Sequence, residues 1–261
     1  MPTALALSPH LDDAAFSCGG LLALLAEFGW ETCMATAFTA TRLPVTGFAL
    51  ACQLDKGVSA DVDYMALRRA EDREAAAILG VSELRHLDFP EAPHRGYESA
   101  PALFGGLRED DEVWRPLAEQ VSALVDELRP ALVLAPQGLG GHVDHRQLIR
   151  AVLEALPAQR VAWWRDTPYA IRDPAAVPDP AVPPLPEARV PLGAILGRKI
   201  AAACAYRSQV GFQFGGADNA RAALRRLAVA EGDGVPAERL LGLVTWDIIP
   251  LPGTSHSQAT M

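Results

Sequence analysis

Thr3-Ala-Leu-Ala-Leu7, followed at once by Ser8-Pro9-His10-Leu11-Asp12-Asp13, sets the pattern for the whole chain. The first five residues are a short apolar run closed by Ser-Pro, which reads as a buried strand. The apolar stretch Phe16 to Phe28 then reads as a helix. The same alternation continues downstream. Thr32 to Phe38 reads as a second strand, running into a loop that holds Thr39, Thr41, Pro44 and Gly47. Tyr64 to Leu79 carries Met65, Leu67, Ala70, Ala77 and Ile78 at helical spacing and stops at Gly80. Glu83 to Phe89, Ala131 to Ala135 and Arg160 to Trp164 read as strands, with helices over Val113 to Leu128 and Asp144 to Ala155 between them. Strands alternating with helices predict an α/β, Rossmann-like three-layer sandwich, its sheet mostly parallel and helices on both faces.

Farther along, Val177 to Pro191 holds Pro178, Pro180, Pro183, Pro184, Pro186 and Pro191. Neither a regular helix nor a central strand tolerates that density, so it reads as an extended surface connection. Ile195 to Tyr206 and Ala217 to Ala230 read as helices and Leu240 to Trp246 as a strand. The expectation is one domain over residues 1–252 with a mobile tail over 253–261.

Half of the 261 residues are apolar and 21% are charged, the profile of a globular chain with a sizeable core. A net charge of −9 argues against nucleic acid or an anionic membrane as partner, since both call for a basic field. Lys56 and Lys199 are the only lysines. Cys18, Cys33, Cys52 and Cys204 form no CxxC pair and read as small buried hydrophobes in a reducing compartment. No apolar run reaches the ~18 residues of a membrane span, and no leader pattern opens the chain. A cytoplasmic protein is therefore expected.

Two clusters carry the chemistry. Pro9 to Asp13 follows the first strand, and Gly140-Gly141-His142-Val143-Asp144-His145 follows the strand ending at Ala135. In an open parallel sheet, loops at C-terminal strand ends converge on one crevice. His10 and Asp13 are three apart, as are His142 and His145, so each pair can share a helical face. Two histidines and one aspartate would hold a hydrolytic metal with a position left open, leaving a carboxylate and a histidine for acid–base work. Taken singly, an Asp at such a place is more commonly a helix cap and a His a structural residue. It is their concurrence in two strand-end loops that points to a metal. Gly138-Leu-Gly140-Gly141 suggests a dinucleotide loop, but the GxGxxG spacing fails at Val143.

The paired motifs PHLDD and GHVDH resemble those of the PIG-L/LmbE-like family, zinc-dependent N-deacetylases acting mainly on N-acetylglucosamine-containing substrates. Arg68-Arg69-Ala-Glu71 through Leu79-Gly80-Val81, and Tyr206-Arg207-Ser208-Gln209 after Lys199, extend the likeness. The resemblance implies His10, Asp13 and His145 as zinc ligands and Asp12 as general base. It further implies a protonated His142 that steadies the transition state, with Asp144 orienting it. Fe2+, Co2+ and Mn2+ suit the same donors. Ala14 departs from the Glu that many family members carry there.

Arg68, by the same resemblance, is a substrate contact. The loop Phe89 to Tyr97 is placed to border the pocket, with His94 and Arg95 as its contacts. One of Trp163 and Trp164, or Tyr169, could face a sugar ring. The substrate implied is a small N-acetylated amino sugar. An amide in a thiol-sugar conjugate and a non-catalytic carbohydrate-binding role are the alternatives, and a homo-oligomer is compatible with all of them.

Overall fold

A computed structural model describes residues 1–242. Seven strands form one sheet: β1 (Thr3–Ser8), β2 (Glu31–Thr36), β3 (Glu83–His86), β4 (Leu132–Pro136), β5 (Val161–Trp164), β6 (Glu187–Pro191) and β7 (Ala237–Leu241). Their spatial order is β3-β2-β1-β4-β5-β7-β6. The first five run parallel, whereas β7 lies antiparallel to both β5 and β6. The expected mostly parallel sandwich is what the chain forms.

Ten helices accompany the sheet among the described residues: α1 (Asp13–Glu27), α2 (Gly47–Leu54), α3 (Tyr64–Leu79), α4 (Ala100–Leu103), α5 (Trp114–Leu128), α6 (Val143–Ala155), α7 (Tyr169–Arg172), α8 (Ile195–Ala205), α9 (Arg207–Phe214) and α10 (Ala217–Glu231). Successive side chains of a strand point to opposite faces, and β1 shows the consequence. Ala4 and Ala6 join the core built on α1, α3, α8 and α10, while Leu5 and Leu7 join the core built on α5 and α6. The short alanines let the apolar helix α1 lie close against its face of the sheet.

α1 is not a regular helix throughout. Cys18 leaves helical geometry (φ −116°, ψ 16°), which frees backbone groups on either side of it. Glu238 accepts from the N–H groups of Gly20 and Leu21, and Lys199 donates to Ser17 O and pairs with Glu238. The kink is thus satisfied by two buried charges from α8 and β7, in keeping with the pairing that buried ions require.

Several sequence expectations need correction. The loop after β2 contains the helix α2, whose apolar residues were masked by flanking Thr, Pro and Gly. The proline-rich connection ends in β6, the outermost strand, where Pro191 interrupts no interior ladder. The strand expected at Leu240 begins earlier, at Ala237. Residues 243–246 of the expected strand and the tail over 253–261 lie outside the described residues. Trp163 and Trp164 are both fully buried, one on each face of β5, so neither meets a ligand.

Candidate active site

β1 sits between β2 and β4, so the chain's connections leave it in opposite directions. This is the switch point at which the C-terminal strand ends open a crevice, and both histidine clusters fall there. Ser8 Oγ donates to His10 O (2.7 Å) and accepts from Ala14 N (3.0 Å), folding the chain back over the strand end. Asp12 adopts φ 155°, a conformation that non-glycine residues rarely take, and Asp13 opens α1. Ala14 is buried, and its methyl group does not line the cavity. On the second loop Gly140 (φ 80°) is packed so that a Cβ would meet Tyr169 at 2.5 Å. Glycine here brings the loop against Tyr169 and delivers His142 and His145 to the crevice.

Two of the histidines converge on one aspartate oxygen. Asp13 Oδ2 lies 3.1 Å from His10 Nδ1 and 3.2 Å from His145 Nε2. Nitrogens of His10, His142 and His145 lie within 4.8 Å of one another. Each of the two histidines at Asp13 is backed by a carboxylate on its other nitrogen: His10 Nε2 by Asp144 (2.9 Å) and His145 Nδ1 by Asp166 (2.5 Å). With Nδ1 given to Asp166, Nε2 of His145 is buried and makes no hydrogen bond, facing the Asp13 carboxylate at 3.2 Å. A buried polar atom without a hydrogen bond is costly, and a cation between Nε2 and the Asp13 carboxylate would satisfy both. These residues therefore fit a divalent metal, in the carboxylate–histidine arrangement that metal sites use.

The family resemblance implies that Asp144 orients His142. Its carboxylate instead holds His10 and Arg95, and only its backbone N–H reaches His142, donating to Nδ1 at 3.2 Å. That bond fixes the tautomer of His142 with Nε2 as donor. Burial and the neighbouring His10 push its pKa down to about 3, so among the protein's own groups it is neutral rather than protonated. Burial, reinforced by Asp13, lifts Asp12 to about 7, with Arg68 pulling the other way. Burial would raise Asp13, but His145 and His10 outweigh it and hold its pKa low. Burial likewise opposes the rise of His145, yet Asp13 and Asp166 bring it to about 9.

The three expected substrate contacts separate. Arg68 is buried; it lies 3.6 Å from Asp12, donates to Leu11 O (3.1 Å) and pairs with Glu91 at 2.5 Å. It lines the cavity while bracing Asp12. Arg95 is taken up by Asp111 (3.0 Å) and Asp144 (2.8 Å) and does not line the cavity. His94 does line it, half-buried, with its pKa lowered by burial. Tyr169 lines it too, its ring 5.7 Å from that of His145. Asp166 is not among the site residues expected from the sequence. Its signal was an acid just beyond the C-terminal end of a parallel strand, but no neighbouring histidine marked it. The cavity holds about 300 Å³, the low end for small-molecule sites.

Comparison with known proteins places this geometry. A 2'-N-acetylparomamine deacetylase of Streptomyces fradiae is 34% identical over 168 residues, 64% of this chain and 57% of that protein. The chain thus aligns to little more than half of that relative's length. Among solved structures, the A40926 pseudoaglycone deacetylase is 27% identical with a TM-score of 0.78, covering 92% of this chain and 96% of its own. A zinc-inhibited form of teicoplanin deacetylase is 25% identical with a TM-score of 0.77, covering 92% and 97%. Residues 5–156, more than half of the chain and including both histidine clusters, match the family model PIG-L, GlcNAc-PI de-N-acetylase, and the chain belongs to that family.

Proposed function

We propose that this protein is a metal-dependent deacetylase that hydrolyses the N-acetyl amide of an amino sugar, with zinc as its ion. The observation that carries this reading is the Asp13 corner. Two histidines, each braced by a carboxylate, meet one aspartate oxygen, with the buried, near-neutral Asp12 next in sequence. The 2'-N-acetylparomamine, teicoplanin and A40926 pseudoaglycone deacetylases to which it is similar support the same chemistry.

His10, Asp13 and His145 would hold the ion. Zinc bound there supplies Lewis acidity for an amide carbonyl and makes water easier to deprotonate. Asp12 takes the proton of the attacking water as its oxygen adds to the acetyl carbon. Burial keeps that carboxyl near neutrality, where it can both accept a proton and return it. His142 donates from Nε2 to the oxygen that gains charge; as a neutral imidazole it needs no prior protonation to do so. When the C–N bond breaks, Asp12 passes its proton to the departing nitrogen, leaving acetate and a free amine. Arg68 holds Asp12 in its strained backbone position throughout.

The test is metal content and amine release measured together on a panel of N-acetylated glucosamine derivatives. About one zinc per chain, with release abolished by chelation, supports the reading. Metal-replete protein that releases no amine from any N-acetyl sugar would sink it.

A further inference from the structure

The cavity's inner end accounts for the reaction, but its mouth is built for something else. Leu43, Phe104 and Phe212 are 68%, 46% and 52% exposed and line the same cavity, Phe104 reaching inward to 5.3 Å from the His142 ring. Phe104 and Phe212 are the exposed aromatic side chains among the described residues, and both stand at this one place. Single exposed apolar residues carry no message, whereas exposed aromatics gathered at a cavity mark a binding surface. Phe48 and Val45 continue the apolar lining inward.

The charges at the mouth have the opposite sign to the chain as a whole. Arg42, Lys56 and Arg172 line it, in a protein of net charge −9. Lys56 Nζ lies 4.6 Å from the Phe212 ring centre and donates to Cys52 O (2.9 Å), so a cation is held against an aromatic face. The facing acids are mostly engaged elsewhere. Asp12 and Glu91 face Arg68, Asp13 meets the histidines, and Asp144 holds His10 and Arg95. Asp63 caps α3 and accepts from Thr41. Asp55 and Asp63 are the remaining acids in the lining, against three cations.

We infer that the aglycone this site accepts is aromatic and carries a carboxylate, its ring on Phe104 and Phe212 and its charge toward Lys56 and Arg172. This rests on the deacetylase reading and adds the substrate class to it. A sugar bearing several ammonium groups meets like charge and apolar side chains at this mouth, and is disfavoured.

The experiment uses metal-loaded protein and four N-acetylglucosamine substrates: the free sugar and its phenyl, 4-carboxyphenyl and 4-(aminomethyl)phenyl glycosides. An N-acetylated aminoglycoside is the polycationic comparison. Amine release gives kcat/KM, and calorimetric titration of the same compounds into Asp12→Asn gives affinity without turnover. The expected order is carboxyphenyl, then phenyl, then aminomethylphenyl, with the phenyl ring gaining about tenfold over the free sugar. Phe212→Ala should remove most of the gain from the ring, and Lys56→Gln should bring the carboxyl and aminomethyl compounds together. No affinity advantage for the aryl glycosides, or a preference for the polycation, overturns the proposal. Equal turnover of every compound keeps the deacetylase reading and overturns the mouth. Ranked binding without amine release keeps the mouth and overturns the deacetylase.

Discussion

Asp166 Oδ1 stands 2.5 Å from His145 Nδ1, with both side chains fully buried. The bond joins the loop after β5 to the helix after β4, and it turns His145 Nε2 toward Asp13 Oδ2, 3.2 Å away. A partner of this kind fixes ring orientation and raises ligand basicity. Asp166→Asn is therefore expected to weaken metal binding by about 10–100-fold while leaving all three direct ligands in place. Competition with a chelator of known affinity measures it. An unchanged metal affinity would show that Asp166 is only a structural acid.

In the proposed mechanism Asp12 and His145 divide the site between proton transfer and metal binding, and their variants should separate cleanly. Asp12→Asn is expected to lower kcat by about 10²–10⁴-fold with metal content unchanged. His145→Ala should lose the ion itself. His142→Ala, by removing a donor to the developing oxyanion, should lower kcat by about 10²–10³-fold with the metal retained. Metal loss in the Asp12 variant would mean that the two roles have been wrongly divided.

Arg95 looked from sequence like a substrate contact because it sits in a polar, aromatic loop. In the fold it is clamped between Asp111 and Asp144, with its guanidinium 4.9 Å from the Phe38 ring. Removing it leaves two buried carboxylates without their counter-ion. Arg95→Ala is accordingly expected to cost about 3–5 kcal/mol of stability, read as a lower urea midpoint. A normal midpoint with a raised KM would restore the substrate role.

The alternation of strand and helix was legible because buried parallel strands and amphipathic helices differ in period and length. His10, Asp13, His142 and His145 were legible because each pair is local, three residues apart at a strand end. What remained hidden depends on strand order. Only when β5 is placed beside β4 does Asp166 reach His145, and only the path of the loop after β2 brings α2 to the cavity mouth. Asp144 shows the same limit within a motif. Proximity in sequence suggested His142 as its partner, whereas the helix start aims its carboxylate across the crevice at His10, 134 positions away. Such pairings come from tertiary placement, which spacing alone does not encode.

Glu231 offers a pH test away from the active site. It closes α10 beside Lys199, Arg165, Glu238 and Glu187, and burial carries its pKa from an ordinary 4.5 up to about 7 despite the two cations. One of its oxygens accepts from Arg239 N at 3.2 Å, while the other has no hydrogen-bond partner. Below about pH 4.5 the carboxyl is protonated in folded and unfolded chains alike, and its burial carries no ionisation cost. As pH rises toward 7 the unfolded chain ionises first, so the folded state loses stability across that window, by about 3 kcal/mol in all. Glu231→Gln keeps an acceptor for Arg239 and cannot ionise. It should match the wild type near pH 4.5 and exceed it at pH 8, as urea midpoints at the two pH values would show. An identical pH dependence in both proteins would mean that Arg165 and Lys199 already compensate the buried charge.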